Sequence, residues 1–148
     1  MNLVDAKKII TSREVCKEEG KYRGKVTSVT PFNDRYIVNL NRMTPYQLEE
    51  SKKCLLAGIE TGDEAMFQKA VNHNLTISVR ETDYTPAKGE IIEFVVENIT
   101  FKKSGIIGLA VTSYNPLKVN KSFTISLDDI ESEVEAVEAK AEPALKTA

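Results

Sequence analysis

The chain has 148 residues, 41% of them hydrophobic and 28% charged, with a formal net charge of −2. This composition excludes wholesale disorder and is enough for a single buried core. No apolar run approaches the roughly 20 residues that span a bilayer, and the first ten residues lack the apolar stretch of a secretory signal, so a cytoplasmic protein without membrane contact is expected.

The near-neutral total conceals a split. Residues 125–148 carry seven carboxylates against two lysines, a balance of −5, whereas residues 1–124 hold 18 basic and 15 acidic groups, a balance of +3. A mildly cationic body can attract a polyanion, and a tethered acidic segment can compete for the same surface or engage a partner. The plain alternative is a soluble domain with a solvated tail.

In chain order, residues 1–19 set Ile9-Ile10 among charges and fit either an edge strand or a short helix. Tyr22 to Thr30 has β-branched residues in alternation, Pro31-Phe32-Asn33-Asp34 supplies turn chemistry, and Arg35 to Leu40 reads as the return strand. Within that strand Tyr36, Val38 and Leu40 share one face, expected to be core. Thr44-Pro45-Tyr46-Gln47 combines a capping hydroxyl, a first-turn proline and a glutamine three residues after the cap. That pattern opens a helix, expected to stop at Gly58. A second short helix is expected from Asp63 through Met66, Phe67, Ala70 and Val71.

Strands return with Leu75 to Arg80, in clean alternation. A polar loop over 81–89 leads to Glu90 to Thr100, nearly apolar on both faces. Phe101 to Gly105 reads as a hairpin connection, and Ile106 to Tyr114 as the last strand, ended by Asn115-Pro116. Strict alternation there puts Ile107, Leu109 and Val111 on one face and Ala110, Thr112 and Tyr114 on the other. The expected class is mainly β: an OB-like barrel of about five antiparallel strands with one or two short helices inserted. Its helix would follow the second strand, whereas the usual OB order places it after the third. The expected division is a nucleic-acid-binding domain over 1–124 and an acidic, flexible tail over 125–148.

Chemistry narrows by elimination. Cys16 and Cys54 are far apart and lack C-x-x-C spacing, which favours idle buried thiols. His73 is the only histidine, so no zinc set and no nucleophile–histidine scheme is indicated. The seven glycines form no phosphate-binding loop. No enzyme, cofactor or metal is expected. What recurs is a basic residue beside an aromatic, the pairing that single-stranded nucleic acid requires: cations for phosphates, and rings that stack on bases at about 1–3 kcal/mol each. The phosphate candidates are Lys21, Arg23, Lys25, Arg35, Arg80, Lys102 and Lys103; the base candidates are Phe32, Tyr84, Phe101 and Tyr114. Tyr84, in the most polar loop, is the best candidate for a free ring, and Tyr114 is expected to be half-exposed beside Ala110 and Thr112. Against this stands the common arrangement in which aromatics are core and lysines merely solvated.

Lys88-Gly89-Glu90-Ile91-Ile92-Glu93-Phe94-Val95-Val96, followed by Phe101 to Ser113, resembles the last barrel hairpin of bacteriophage replication single-stranded DNA-binding proteins. In that family a glycine opens a strand, an aromatic-basic connection follows, and a small-residue strand closes the OB barrel before an acidic tail. The resemblance implies sequence-non-specific binding of single-stranded DNA in phage replication or recombination, in the host cytoplasm, with replication proteins docking on the tail. The chain departs from the family in ending Leu145-Lys146-Thr147-Ala148, without an aromatic, and in interrupting its acidic run with alanine, valine and Pro143. RNA remains open beside DNA as the strand bound. The rival expectation is a protein-interaction or assembly module whose exposed strands pair with a partner or a second copy, without nucleic acid.

The tail itself reads two ways. Alanine and glutamate favour helix, and Ile130, Val134 and Val137 form a weak apolar stripe that could dock; the alternative is a disordered solubilising segment. A tail that competes with polyanion predicts tighter strand binding once 125–148 is removed.

Overall fold

A computed structural model describes residues 1–102 and 104–131. The first residues form both a helix and a strand. In α1 (Leu3–Thr11), Asn2 caps the N-terminus by accepting the Asp5 N–H at 2.9 Å, and Ala6 and Ile10 turn inward. β1 (Glu14–Val15) follows. The long β2 (Gly20–Phe32) and β3 (Arg35–Leu40) make a hairpin whose turn residue Asn33 takes a positive φ of 55°, a conformation asparagine tolerates. β4 (Arg42–Met43) then pairs in parallel with β1.

α2 (Pro45–Thr61) opens as its sequence predicts: Thr44 Oγ1 accepts the Gln47 N–H at 3.2 Å while Gln47 Oε1 accepts the Thr44 N–H at 2.9 Å. The expected stop at Gly58 is not where the helix ends. It continues to Thr61, with Gly62 at φ 72° as the left-handed cap. Gly58 serves a different purpose, since a Cβ there would lie 2.6 Å from the Phe67 ring of α3 (Ala65–Val71). The glycine lets the two helices approach.

The remaining strands are β5 (Thr76–Arg80), β6 (Ile91–Thr100), β7 (Ile107–Pro116) and β8 (Phe123–Thr124). Six strands form one antiparallel sheet, curled into a half-barrel, in the order β5-β3-β2-β6-β7-β8. Its pivot is β2. Gly20 to Lys25 pair with β6, Val26 to Phe32 pair with β3, and the register slips by one residue at Thr27. A bulge of this kind bends and twists a strand, which lets β2 belong to both halves of the curl.

Val26, Val38, Leu40, Ile77, Ile92, Phe94 and Val96 fill the concave side. A second cluster of Ala6, Ile10, Met43, Cys54, Phe67 and Ala70 holds the three helices together. Both cysteines are free and buried, one in each cluster. Burial pushes the Cys16 thiol up to about 11.

The expected alternation fails in β7. Val95 pairs with Ser113 but Val96 with Val111, so Thr112 is an extra residue. One extra residue reverses the facing of everything beyond it. Tyr114 therefore returns to the concave side opposite Phe94 and is only 3% exposed. Past β8 the chain enters the core again: Ile125 and Ile130 are buried, and the described chain closes in a helical turn, 127–131. Val134, Val137 and the rest of the acidic run lie outside the described residues. Among the described residues no helix is long and apolar enough to cross a membrane.

Candidate nucleic-acid interface

The register of β2, β3 and β5 defines a patch on the convex side, because direct cross-strand partners point the same way. Three rungs run across it: Phe32–Arg35–Arg80, Thr30–Ile37–Ser78 and Ser28–Asn39–Thr76. These nine positions hold two arginines, one aromatic, five neutral polar residues and Ile37, with no carboxylate among them. In a chain with 22 acidic residues, such a face is the local environment that suits an anion.

Carboxylates reach this patch only from outside it. Asp34 of the β2–β3 turn lies 3.7 Å from Arg35 Nε. Asp129, from the turn beyond β8, sits between the two arginines, with Oδ1 2.7 Å from Arg35 Nη1 and Oδ2 3.3 Å from Arg80 Nε. Arg35 also donates to Ser78 Oγ at 3.5 Å. The Arg35 and Asp129 side chains are 20% and 9% exposed, so theirs is a largely desolvated pair, whereas Arg80 is 62% exposed. The same turn reaches Lys102: Asp128 Oδ1 accepts from its Nζ at 2.9 Å, and Glu131 accepts its backbone N–H. The hydrogen bond and the opposite charge hold the Asp128 carboxyl below its usual range and the Lys102 ammonium above its own.

Three of the expected contacts, Arg35, Arg80 and Lys102, are thus linked by a single acidic turn, and Phe32 shares the rung of the two arginines. Lys21 and Arg23 are elsewhere, on the β2–β6 part of the sheet, each 3.5 Å from a carboxylate oxygen of Glu93. Lys25 is exposed and its backbone N–H donates to Asn41 Oδ1 at 2.8 Å. Lys103 lies outside the described residues.

The rings depart from expectation more than the cations. Tyr114 is not half-exposed: it stacks on Phe123 with centroids 5.1 Å apart and donates its hydroxyl to Tyr84 O at 3.2 Å. It is a core residue, brought inside by the β7 bulge, and offers no face to a base. Tyr84 is half-buried and tethered, its hydroxyl donating to Glu90 Oε1 at 2.9 Å, which raises its pKa. Phe101 is half-buried against the main core and lies over Gly108, where a Cβ would meet it at 3.2 Å. Phe32, half-buried beside Arg35, is the ring closest to the original expectation.

Sequence reasoning missed Asp129 as a partner of the patch and Asn39 and Ser78 as parts of it. The signal for Asp129 was present in Ile125 and Ile130, apolar residues bracketing an acidic pair. Among the described residues no group of three or more histidine, cysteine or carboxylate side chains could hold a metal. The chain matches no family model, no curated protein and no solved structure.

Proposed function

We propose that this protein is an OB-like barrel that binds single-stranded DNA without sequence preference, on the convex β2–β3–β5 face, as a factor of phage-type replication or recombination. The observation that carries the reading is a face whose strand positions hold no carboxylate, with Arg35, Arg80 and Phe32 on one rung and Lys102 linked to it through the turn that supplies Asp129. Cations there neutralise phosphates and Phe32 offers a stacking edge. The OB assignment draws support from β2, shared between β3 and β6 as the first strand of such a barrel is, while α2 and α3, which precede β5, keep the departure from the usual OB helix position.

The experiment is a titration of fluorescent oligo-dT with the protein over a range of salt, with duplex DNA as competitor. Tight, steeply salt-dependent binding that ignores duplex supports the proposal; absence of binding at low salt ends it. Competition by the acidic tail is best probed by deletion from residue 132, because deletion from 125 would also remove the buried Ile125 and Ile130. Deletion from 132 is expected to tighten binding at low salt.

A second reading, an assembly module, rests on the β6–β7 hairpin, where Ile106 and Ile107 are 65% and 68% exposed. It predicts oligomers by light scattering that Ile106→Lys returns to monomers, with no salt-dependent binding of oligonucleotides.

A further inference from the structure

A cleft of about 550 Å³ separates α1 and α3 from the convex side of β2 and β3, within the size range of small-molecule sites. Its lining is unusual for so charged a chain. Five side chains are carboxamides, Asn39 and Asn41 from the sheet side and Gln68, Asn72 and Asn74 from α3 and the residues after it, and none is a carboxylate. Part of the row is fixed: Asn39 Nδ2 donates to Ser28 Oγ at 2.9 Å, and Asn74 Nδ2 to Asn39 Oδ1 at 3.3 Å. The side chains of Gln68 and Asn72, residues that are exposed and half-buried, have no hydrogen-bond partner among the described residues and are free to serve a ligand.

The cation of the cleft is Arg13. Its guanidinium donates to Val71 O at 2.6 Å and to His73 O at 3.4 Å, and no carboxylate among the described residues lies within ion-pair distance. Burial lowers its pKa, which marks a charge held away from water without a counter-ion. Ile9, Ile37 and Val71 add apolar wall.

From this combination we infer that the cleft is a nucleotide site, free nucleotide or one unit of a strand. The base lies against the apolar side of the cleft at Ile9, carboxamides meet its edge, and Arg13 meets the phosphate. A carboxamide carries a donor and an acceptor side by side, the pairing that reads a base edge, and adenine best of all. The inference does not rest on strand binding, since a mononucleotide suffices to test it.

The test uses the full ¹⁵N-labelled chain, following the side-chain signals of Gln68, Asn72 and Arg13 by NMR. The titrants are AMP, ribose 5-phosphate, inorganic phosphate and short oligo-dA. Saturable shifts with AMP, weakened about tenfold by Asn72→Ala or Gln68→Ala, are the expected result. Shifts of the same signals with oligo-dA alone also support the site, with the strand as the source. Equal shifts with inorganic phosphate or ribose 5-phosphate overturn the inference, leaving an anion contact. Binding unaffected by both substitutions overturns it as well, as does silence toward every titrant. Oligonucleotide that moves the Arg80 signal while these stay still overturns it and leaves the single-strand proposal standing.

Discussion

The sheet carries cations on either side of the β2 pivot but neutralises them in opposite ways. On the β6 side, Arg23 stands directly across from Glu93, and Lys21 reaches the same carboxylate. That neutralisation is built into the sheet and forms as soon as the strands register. On the β3 side the sheet supplies no carboxylate, and Arg35 and Arg80 wait for Asp129, 94 and 49 residues away in sequence. The lesson is that positive charge along a strand says little about a polyanion site until its counter-ions are located. Cations answered within the sheet are spent, while those answered by a separate segment are available whenever that segment yields.

The sharpest way to break this contrast is to loosen the segment. Ile130 anchors it in the core, and Ile130→Ala is expected to cost about 2–5 kcal/mol in urea unfolding. A loss below about 1 kcal/mol would mean that the turn merely rests on the surface. A milder comparison sets Asp129→Asn against Glu93→Gln. Asp129→Asn removes the close partner of the largely buried Arg35 and is expected to cost about 1–3 kcal/mol, whereas the Glu93 pairs, whose cations are exposed, contribute at most about 1 kcal/mol. The first substitution is also expected to tighten oligo-dT binding more than the second. Equal stability losses and equal affinities would erase the distinction between the two halves. Smaller again is the salt slope: Arg80→Ala should reduce it by about one unit, and Arg23→Ala by clearly less. The reverse order would move the site to the β6 side.

Much of this architecture could be read in advance, and the failures share a cause. Thr44, Pro45 and Gln47 announce α2 because a cap is a local device, complete within four residues. Arg35 to Leu40 was bounded correctly because its alternation is unbroken and tight turn chemistry precedes it. Gly58 misled because its reason for being glycine lies in another helix, at Phe67. Tyr114 misled because a bulge is a property of pairing, visible only against Val95 and Val96. The site divides in the same way. Arg35, Arg80 and Phe32 were legible as residue types, but their sharing one rung is a matter of register. Asp128 and Asp129 were counted correctly as acidic, yet nothing local says that one is buried against two arginines and the other faces Lys102. The carboxamide cleft was invisible, since its members come from α3, β3 and the segments after them and resemble ordinary polar residues in each.

The finest distinction lies within the acidic turn itself, between Asp129, buried in its ion pair, and Asp128, which meets Lys102 at the surface. Lys102 holds the Asp128 carboxyl below the usual value near ~3.9 through a hydrogen bond and its charge. A carboxyl whose pKa is depressed by folding contributes stability above its unfolded pKa and loses it as pH falls through the lower folded value. Lys102, shifted upward, contributes below its unfolded pKa and loses that contribution as pH rises through the raised folded value. At neutral pH both contributions are present, and the contact opens from either end of the scale. An NMR titration of Asp128 should therefore show a midpoint below the ordinary carboxylate range that returns to it in Lys102→Ala. If oligonucleotide displaces the turn from Lys102, adding oligo-dT should move the midpoint back in the same direction. A midpoint indifferent to both would mean that Asp128 is not the anion that Lys102 exchanges for phosphate.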